Sequence, residues 1–271
     1  MRSKVLIAFA MVFIVLTSFA LTGLSQDDQR HSGLYGAGGR DDDGNIVVEG
    51  EGPDRSDKFS FIRIRYGRPT EPGDIIGDPP GLTWSHDYPD GGIHFSKILS
   101  EVSKLRVTLD TPEYIFRLDD PNIFKYPFAY LCEVGFMTLS DSEIAGLREY
   151  LLRGGFIIVD DFRRPMQMQN FLYYLKRALP EYEMKELDLS HPVFNCFFSI
   201  KSLDIKPPYD RGKPQFFGVE DKHGRLMMVI NYNNDVSDFW QWASNNAFYP
   251  IEDTNEGFKF GVNYAFYALT H

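Results

Sequence analysis

Acidic side chains gather at three places where this chain turns from apolar to polar. Glu133 follows the run FAYLC, Asp160 and Asp161 follow FIIV, and Asn233, Asp235 and Asp238 lie in NNDVSD. Oxygen-rich sets of this kind suit a hard cation such as Mg²⁺ or Ca²⁺, with Asp160, Asp161 and Asp235 as its carboxylates. Asp160, Asp161 and Glu133 are open to a second chemistry, because two carboxylates can divide the acid and base roles in hydrolysing a glycosidic bond. A third reading is structural: an Asp at a strand end caps the following helix, and Asn/Asp-rich segments form turns that bond their own backbone. Four further residues join Asn233, Asp235 and Asp238 as binding candidates: Trp84, His86, His191 and Trp240. Trp240 and Trp242 can stack on a sugar or fill a core.

For these acids to meet, the segments before them must be neighbouring strands of one sheet. The stretch Leu139–Phe162 supplies the pattern. Ser140 and Glu143 have capping-box spacing, and Leu139 and Ile144 are placed to staple that cap. Ile144, Leu147 and Leu151 give the helix one apolar face, and Glu149 stands one turn before Arg153, at ion-pair spacing. Gly154 supplies the left-handed residue that closes it. Phe156 to Val159 are continuously apolar, as in a parallel strand covered on both faces, which puts Asp160 and Asp161 at its carboxyl end. In open α/β sheets that is the end where ligands bind.

The remaining elements fall on either side. The first strand is Phe59–Tyr66, with Arg63 and Arg65 long enough to carry their charges to water. A Gly/Pro-rich loop runs from Gly67 to Gly92, with Trp84, His86, Asp87 and Tyr88 near its end. A helix is expected over Ile93–Leu105, then short strands over Arg106–Leu109 and Tyr114–Leu118, and an apolar strand over Pro127–Val134. A helix over Met166–Ala178 stops before Pro180. Phe216–Glu220 and Arg225–Tyr232 flank the turn-rich DKHG and read as a hairpin, and an amphipathic helix covers Phe258–Leu269.

Composition bounds the class. With 43% hydrophobic and 15% aromatic residues the chain can fill a sizeable core, and its net charge of −10 argues against nucleic acid as a partner. Arg2 and Lys4 precede an apolar run from Val5 to Leu16, and Ser18, Phe19 and Ala20 form a small-x-small site, so residues 1–24 read as a signal peptide or, if uncleaved, a membrane anchor. Residues 25–57, rich in Gly and Asp, read as a disordered linker; Asp41, Asp42 and Asp43 lack the carboxylates that a calcium loop needs further on. Residues 58–271 form one α/β domain. Cys132 and Cys196 read as separate buried thiols, although an exported protein could bridge them.

The motifs WSHDYP (Trp84–Pro89), YPFAYLCEVG (Tyr126–Gly135), LREYLLRGGFIIVDDF (Leu147–Phe162), HPVFNCFF (His191–Phe198), NNDVSDFW (Asn233–Trp240) and the terminal YALTH carry a resemblance. From Phe59 to His271 the chain resembles domain-of-unknown-function family 4159 of bacterial exported proteins. The resemblance implies a flavodoxin-like, class I glutamine amidotransferase-like three-layer sandwich, with a mostly parallel sheet and a C-terminal hairpin added to it. Amidotransferases keep a nucleophilic cysteine on the turn after a strand. Here Asp160, Asp161 and Phe162 occupy that place, Cys132 lies on the preceding strand, and no His-Glu pair completes a triad, so glutaminase chemistry is not expected. The chain also has Tyr232 and Gln241 where a histidine and a glutamate are usual in that family. The combined expectation is an exported, periplasmic or secreted cell-envelope protein. Its domain would be a non-catalytic module that binds an envelope protein or a polar ligand, with Mg²⁺ or Ca²⁺ as the only cofactor considered. The alternative is a periplasmic hydrolase that uses the rim carboxylates.

Overall fold

The computed structural model describes residues 57–67, 83–110, 113–205, 212–245 and 248–271. The expected leader, all but the end of the expected linker, and the middle of the loop after the first strand lie outside them. No helix among the described residues is long and apolar enough to cross a membrane.

Seven strands form one sheet: β1 (Ile62–Ile64), β2 (Tyr114–Phe116), β3 (Phe128–Cys132), β4 (Phe156–Phe162), β5 (Met184–Glu186), β6 (Gln215–Glu220) and β7 (Leu226–Tyr232), in the order β2-β1-β3-β4-β7-β6-β5. The first five in that order run parallel, while β6 pairs antiparallel with both β7 and β5. Five helices flank the sheet: α1 (Asp90–Val102), α2 (Asp141–Leu152), α3 (Pro165–Ala178), α4 (Val236–Gln241) and α5 (Ile251–Thr270). Alternation along the strands fills two cores. Ile157 and Val159 pack with Leu147 and Leu151 of α2 and Phe171 and Leu175 of α3. Phe156 and Ile158 pack on the other face with Phe95 of α1, Trp240 of α4 and Val262 of α5. The sheet is thus the middle of three layers.

Local signals of α2 are realised in full. Ser140 and Glu143 form the reciprocal capping box, Arg153 pairs with Glu149 at 2.5 Å, and Gly154 takes φ +110°. Elsewhere boundaries move. The first strand shrinks to Ile62–Ile64, and the strand expected at Arg106–Leu109 survives only as a bridge between Phe59 and Val107. α1 begins three residues early, and its Gly92 is required there: a Cβ would lie 2.2 Å from the Glu113 carboxylate. α5 begins at Ile251, and NNDVSD leads into the helix α4 rather than a plain turn. Strand β5, with its sequence MKE, has no alternation to announce it. Both cysteines are free thiols.

The largest departure is Arg63. It does not reach water but is fully buried, on the face of β1 shared with Tyr130 and Cys132. Its Nε and Nη2 form a fork onto the two oxygens of buried Glu113. Nη1 donates to the carbonyls of Trp84 (3.2 Å) and His86 (2.7 Å). Burial works against the guanidinium charge, but Glu113 outweighs it and holds the Arg63 pKa above its ordinary value. Burial likewise lifts the Glu113 carboxyl, and the two-point fork onto Arg63 opposes that lift. Arg63→Met strands a buried carboxylate and frees the Trp84–His86 segment. It is expected to lower the unfolding free energy by about 3–5 kcal/mol in chemical denaturation, with Arg63→Met/Glu113→Leu costing less than the sum of the two single changes.

Candidate metal centre

Strand pairing sets the acids side by side. Cys132 of β3 stands opposite Asp160 of β4, and Glu133 N donates to Asp160 O at 3.1 Å, so Glu133 and Asp161 leave the sheet at the same level. Asp235 follows the neighbouring β7. The segment after β1 folds over this edge, pinned by Arg63, and brings His86 and Asp87. Chain leaving β1 enters α1 on one face, whereas chain leaving β3 enters α2 on the other. The acids therefore sit in the crevice where adjacent connections diverge, the usual ligand position of an open α/β sheet.

His86 is the hub. Its Nδ1 is hydrogen-bonded to Asp161 Oδ2 and lies 3.9 Å from Glu133 Oε1; its Nε2 lies 4.0 Å from Asp87 Oδ1. Asp161 is also bonded at Oδ1 by Arg163 Nη2 at 2.6 Å. Two sets of potential ligand atoms, each within 4.8 Å of one another, share the imidazole: His86, Glu133 and Asp161, and His86, Asp87 and Asp235.

The charges are strongly interdependent. The Asp87 carboxylate, with Asp161 and Glu133, raises His86 to about 11 against its burial. Burial pushes Asp161 upward, but His86 and Arg163 outweigh it and hold the carboxyl at about 2. Burial and the nearby Asp161 charge raise Glu133 to about 9, and the same two causes lift Asp235 well above the carboxylate range. His86 and Arg163 thus hold Asp161 ionised, while burial and mutual repulsion raise Glu133 and Asp235 beside it.

Positive φ recurs among these residues, and also occurs at Arg164 (72°), just before α3. Asp87, Glu133 and Asp161 have φ of 62°, 52° and 51°, in the left-handed region that side chains other than Asn, Asp and Gly rarely enter. Asn233 shares this conformation at 54°, but its side chain turns away to donate to Lys213 O at 3.3 Å.

The other expected site residues serve the frame. Asp160 faces the opposite layer, where it accepts from Asn231 Nδ2 (3.0 Å), Ser237 N (2.9 Å) and Tyr130 OH (3.3 Å), so its metal and catalytic readings give way to that of a strut. Asp238 accepts from Tyr249 OH, and burial with the Asp87 charge raises it to about 7. Trp240 is wholly buried against Phe95 and Phe61, which removes it as a sugar platform. Trp84 is buried beneath the Arg65 guanidinium. His191 caps the turn at Pro192–Phe194 and faces Glu220 at 3.5 Å; Glu220 pairs with the start of β7, at the far end of the sheet from Asp235. Sequence reasoning left Asp87, Ser237 and Arg163 out of the site. Their only signal is adjacency to His86, Asp235 and Asp161.

A family model described as a domain of unknown function (DUF4159) matches residues 60–269. The chain belongs to this family. The match takes in the whole DUF4159 sheet and every residue of the acidic crevice. No curated protein matches the chain.

Opposite stability effects are expected at two of the acids. Asp160→Ala strands three buried donors of the DUF4159 domain and should cost about 2–4 kcal/mol. Asp235→Asn keeps the Oδ1 cap of α4 and removes the need for a buried carboxyl to take up a proton on folding, so it should stabilise chelator-treated protein at neutral pH by roughly 0.5–2 kcal/mol in the same denaturation assay.

Proposed function

We propose that this is an exported binding module that captures a polar ligand through a divalent cation held at the carboxyl end of its sheet. The observation that carries the reading is the convergence of His86, Asp87, Glu133, Asp161 and Asp235 in one buried crevice where two carboxylate oxygens, Asp87 Oδ1 and Asp235 Oδ2, meet no hydrogen-bond donor among the described residues. Buried carboxylates without donors are costly, and a cation is the partner that removes the cost. Export is supported by the basic start and apolar run of residues 1–24. A flavodoxin-like fold, the scaffold of the amidotransferase-like proteins, is supported by the order of the parallel strands, which reads 2-1-3-4-5 when they are counted along the chain.

The test is a thermal melt of the full chain after chelator treatment, repeated with Zn²⁺, Mn²⁺, Mg²⁺ and Ca²⁺. At least one cation at one hundred times its dissociation constant should stabilise the fold by about 2.7 kcal/mol. No shift with any of the four would sink the reading. Metal-assisted hydrolysis is a second reading, favoured by the split between Glu133 at about 9 and Asp161 at about 2, which matches an acid to a base across one crevice. If it holds, any turnover found with chromogenic ester, glycoside or phosphoester substrates drops at least a hundredfold in Glu133→Gln, the usual share of a general acid.

A further inference from the structure

The two candidate ligand sets around His86 are not equivalent. In the first, the imidazole is already committed: Nδ1 is bonded to Asp161 Oδ2, and since a carboxylate only accepts, Nδ1 carries the hydrogen. Asp161 in turn is engaged by Arg163. In the second, two carboxylate oxygens meet no donor, although the Asp235 carboxyl also lies within hydrogen-bonding reach of Asp161 and the His86 Nε2 proton must leave before a metal can take its place. His86 Nε2 makes no hydrogen bond among the described residues, and Asp87 Oδ1 stands 4.0 Å from it. Asp87 is 2% exposed and Asp235 0% exposed, yet Asp87 Oδ1 and Asp235 Oδ2 lack donors.

The other oxygen of each carboxylate is fixed. Asp87 Oδ2 accepts from Ser237 Oγ. Asp235 Oδ1 accepts from Asp238 N at 3.1 Å and lies 3.3 Å from the same Ser237 hydroxyl. Each acid is therefore held by one oxygen and offers the other. Ser237, through both contacts, sets the spacing between them.

On the cation-binding reading of the crevice, we infer that His86 Nε2, Asp87 Oδ1 and Asp235 Oδ2 are the ligands of one first-row transition-metal dication, with Asp161 as the residue that orients the imidazole through Nδ1–H. A ring nitrogen in the set favours Zn²⁺ or Mn²⁺ over the all-oxygen ions Mg²⁺ and Ca²⁺. A carboxylate on the other ring nitrogen is the arrangement by which proteins hold a metal-bound histidine. Tetrahedral metal distances of about 2.0–2.2 Å place ligand atoms roughly 3.4 Å apart, so atoms within 4.8 Å of one another must draw together by up to about 1.4 Å as the ion enters. Three protein ligands leave coordination positions for water or for a polar group of the ligand. The His86 side chain is 24% exposed, which gives the ion a way in.

The experiment uses the full chain, stripped with chelator and titrated calorimetrically with Zn²⁺, Mn²⁺, Mg²⁺ and Ca²⁺. One Zn²⁺ per chain is expected, bound at least a hundredfold tighter than Mg²⁺ or Ca²⁺. Asp87→Asn and Asp235→Asn should each weaken it at least fiftyfold, Asp161→Asn by about 10–100-fold as an outer partner, and Glu133→Gln less than threefold. Histidine ring ¹⁵N NMR of the unmodified Zn²⁺-loaded chain gives a readout that does not depend on any variant folding. His86 should show a metal on Nε2 and a proton on Nδ1. A metal on Nδ1, a major loss in Glu133→Gln, or tighter Mg²⁺ or Ca²⁺ overturns this ligand set and leaves the cation-binding reading standing; binding of none of the four ions overturns both.

Discussion

A guanidinium buried in the middle of β1 governs the geometry of the carboxyl end of the sheet. Arg63 reaches sideways to Glu113, just before β2, and forward to the carbonyls of Trp84 and His86. Replacing a buried ion pair by well-packed apolar residues is often neutral or stabilising, so bulk stability does not explain such a pair. What Arg63 supplies here is position. Three further contacts converge on the same strut: Cys132 Sγ lies 3.3 Å from Nη1, the Tyr130 ring lies under the guanidinium, and Gly92 leaves the space that Glu113 fills. The loop that carries His86 and Asp87 is thereby set against strands whose own ends carry Glu133, Asp161 and Asp235.

That convergence creates a charge problem. Two unit charges about 4 Å apart interact by about 4 kcal/mol at an effective dielectric of 20, so neighbouring carboxylates cannot all stay ionised without cations. Arg163 and His86 answer for Asp161, and hydrogen bonds from Asn231 and Ser237 partly offset the burial that raises Asp160 to about 6. At Glu133, Asp235 and Asp238 the compensation falls short: Tyr249 donates to Asp238 and Asp238 N to Asp235, yet burial and neighbouring carboxylates raise all three. A dication bound there as proposed would compete with their protons and release them. Protonated acids and a metal ion are thus alternative ways to settle the same excess of negative charge.

Local chemistry was the legible part of the sequence. The capping box of α2, the left-handed Gly154 and the apolar run of β4 each depend on residues a few positions apart, and each stands where the spacing puts it. The convergence of Glu133, Asp161 and Asp235 was legible too, because sheet topology alone brings strand ends together. What the sequence hid depends on distant partners. Arg63 looks like an outward-facing strand residue until Glu113 is beside it, 50 positions away. Trp240 looks available until Phe95 and Phe61 close over it, and Asp160 cannot be told from Asp161 until the pleat sends one to each face. Helix α4, at six residues, is too short for periodicity to reveal.

Three left-handed residues bear on whether the crevice serves the fold or a ligand. Asp87, Glu133 and Asp161 come from three separate parts of the chain; the left-handed conformation is one that aspartate tolerates, whereas at Glu133 it costs of order 1–3 kcal/mol. Glycine or asparagine at these positions would relieve the backbone and remove the mutual repulsion as well. Neither relief has been taken at any of the three. The left-handed residue follows β3 at Glu133 and bulges β4 at Asp161, just before Phe162 pairs with Tyr232; the Asp161 carboxylate bonds the His86 ring and Glu133 Oε1 lies 3.9 Å from it. Backbone strain and electrostatic cost therefore fall on the same residues and point to the same place. The cation site proposed above would relieve the electrostatic part of that cost.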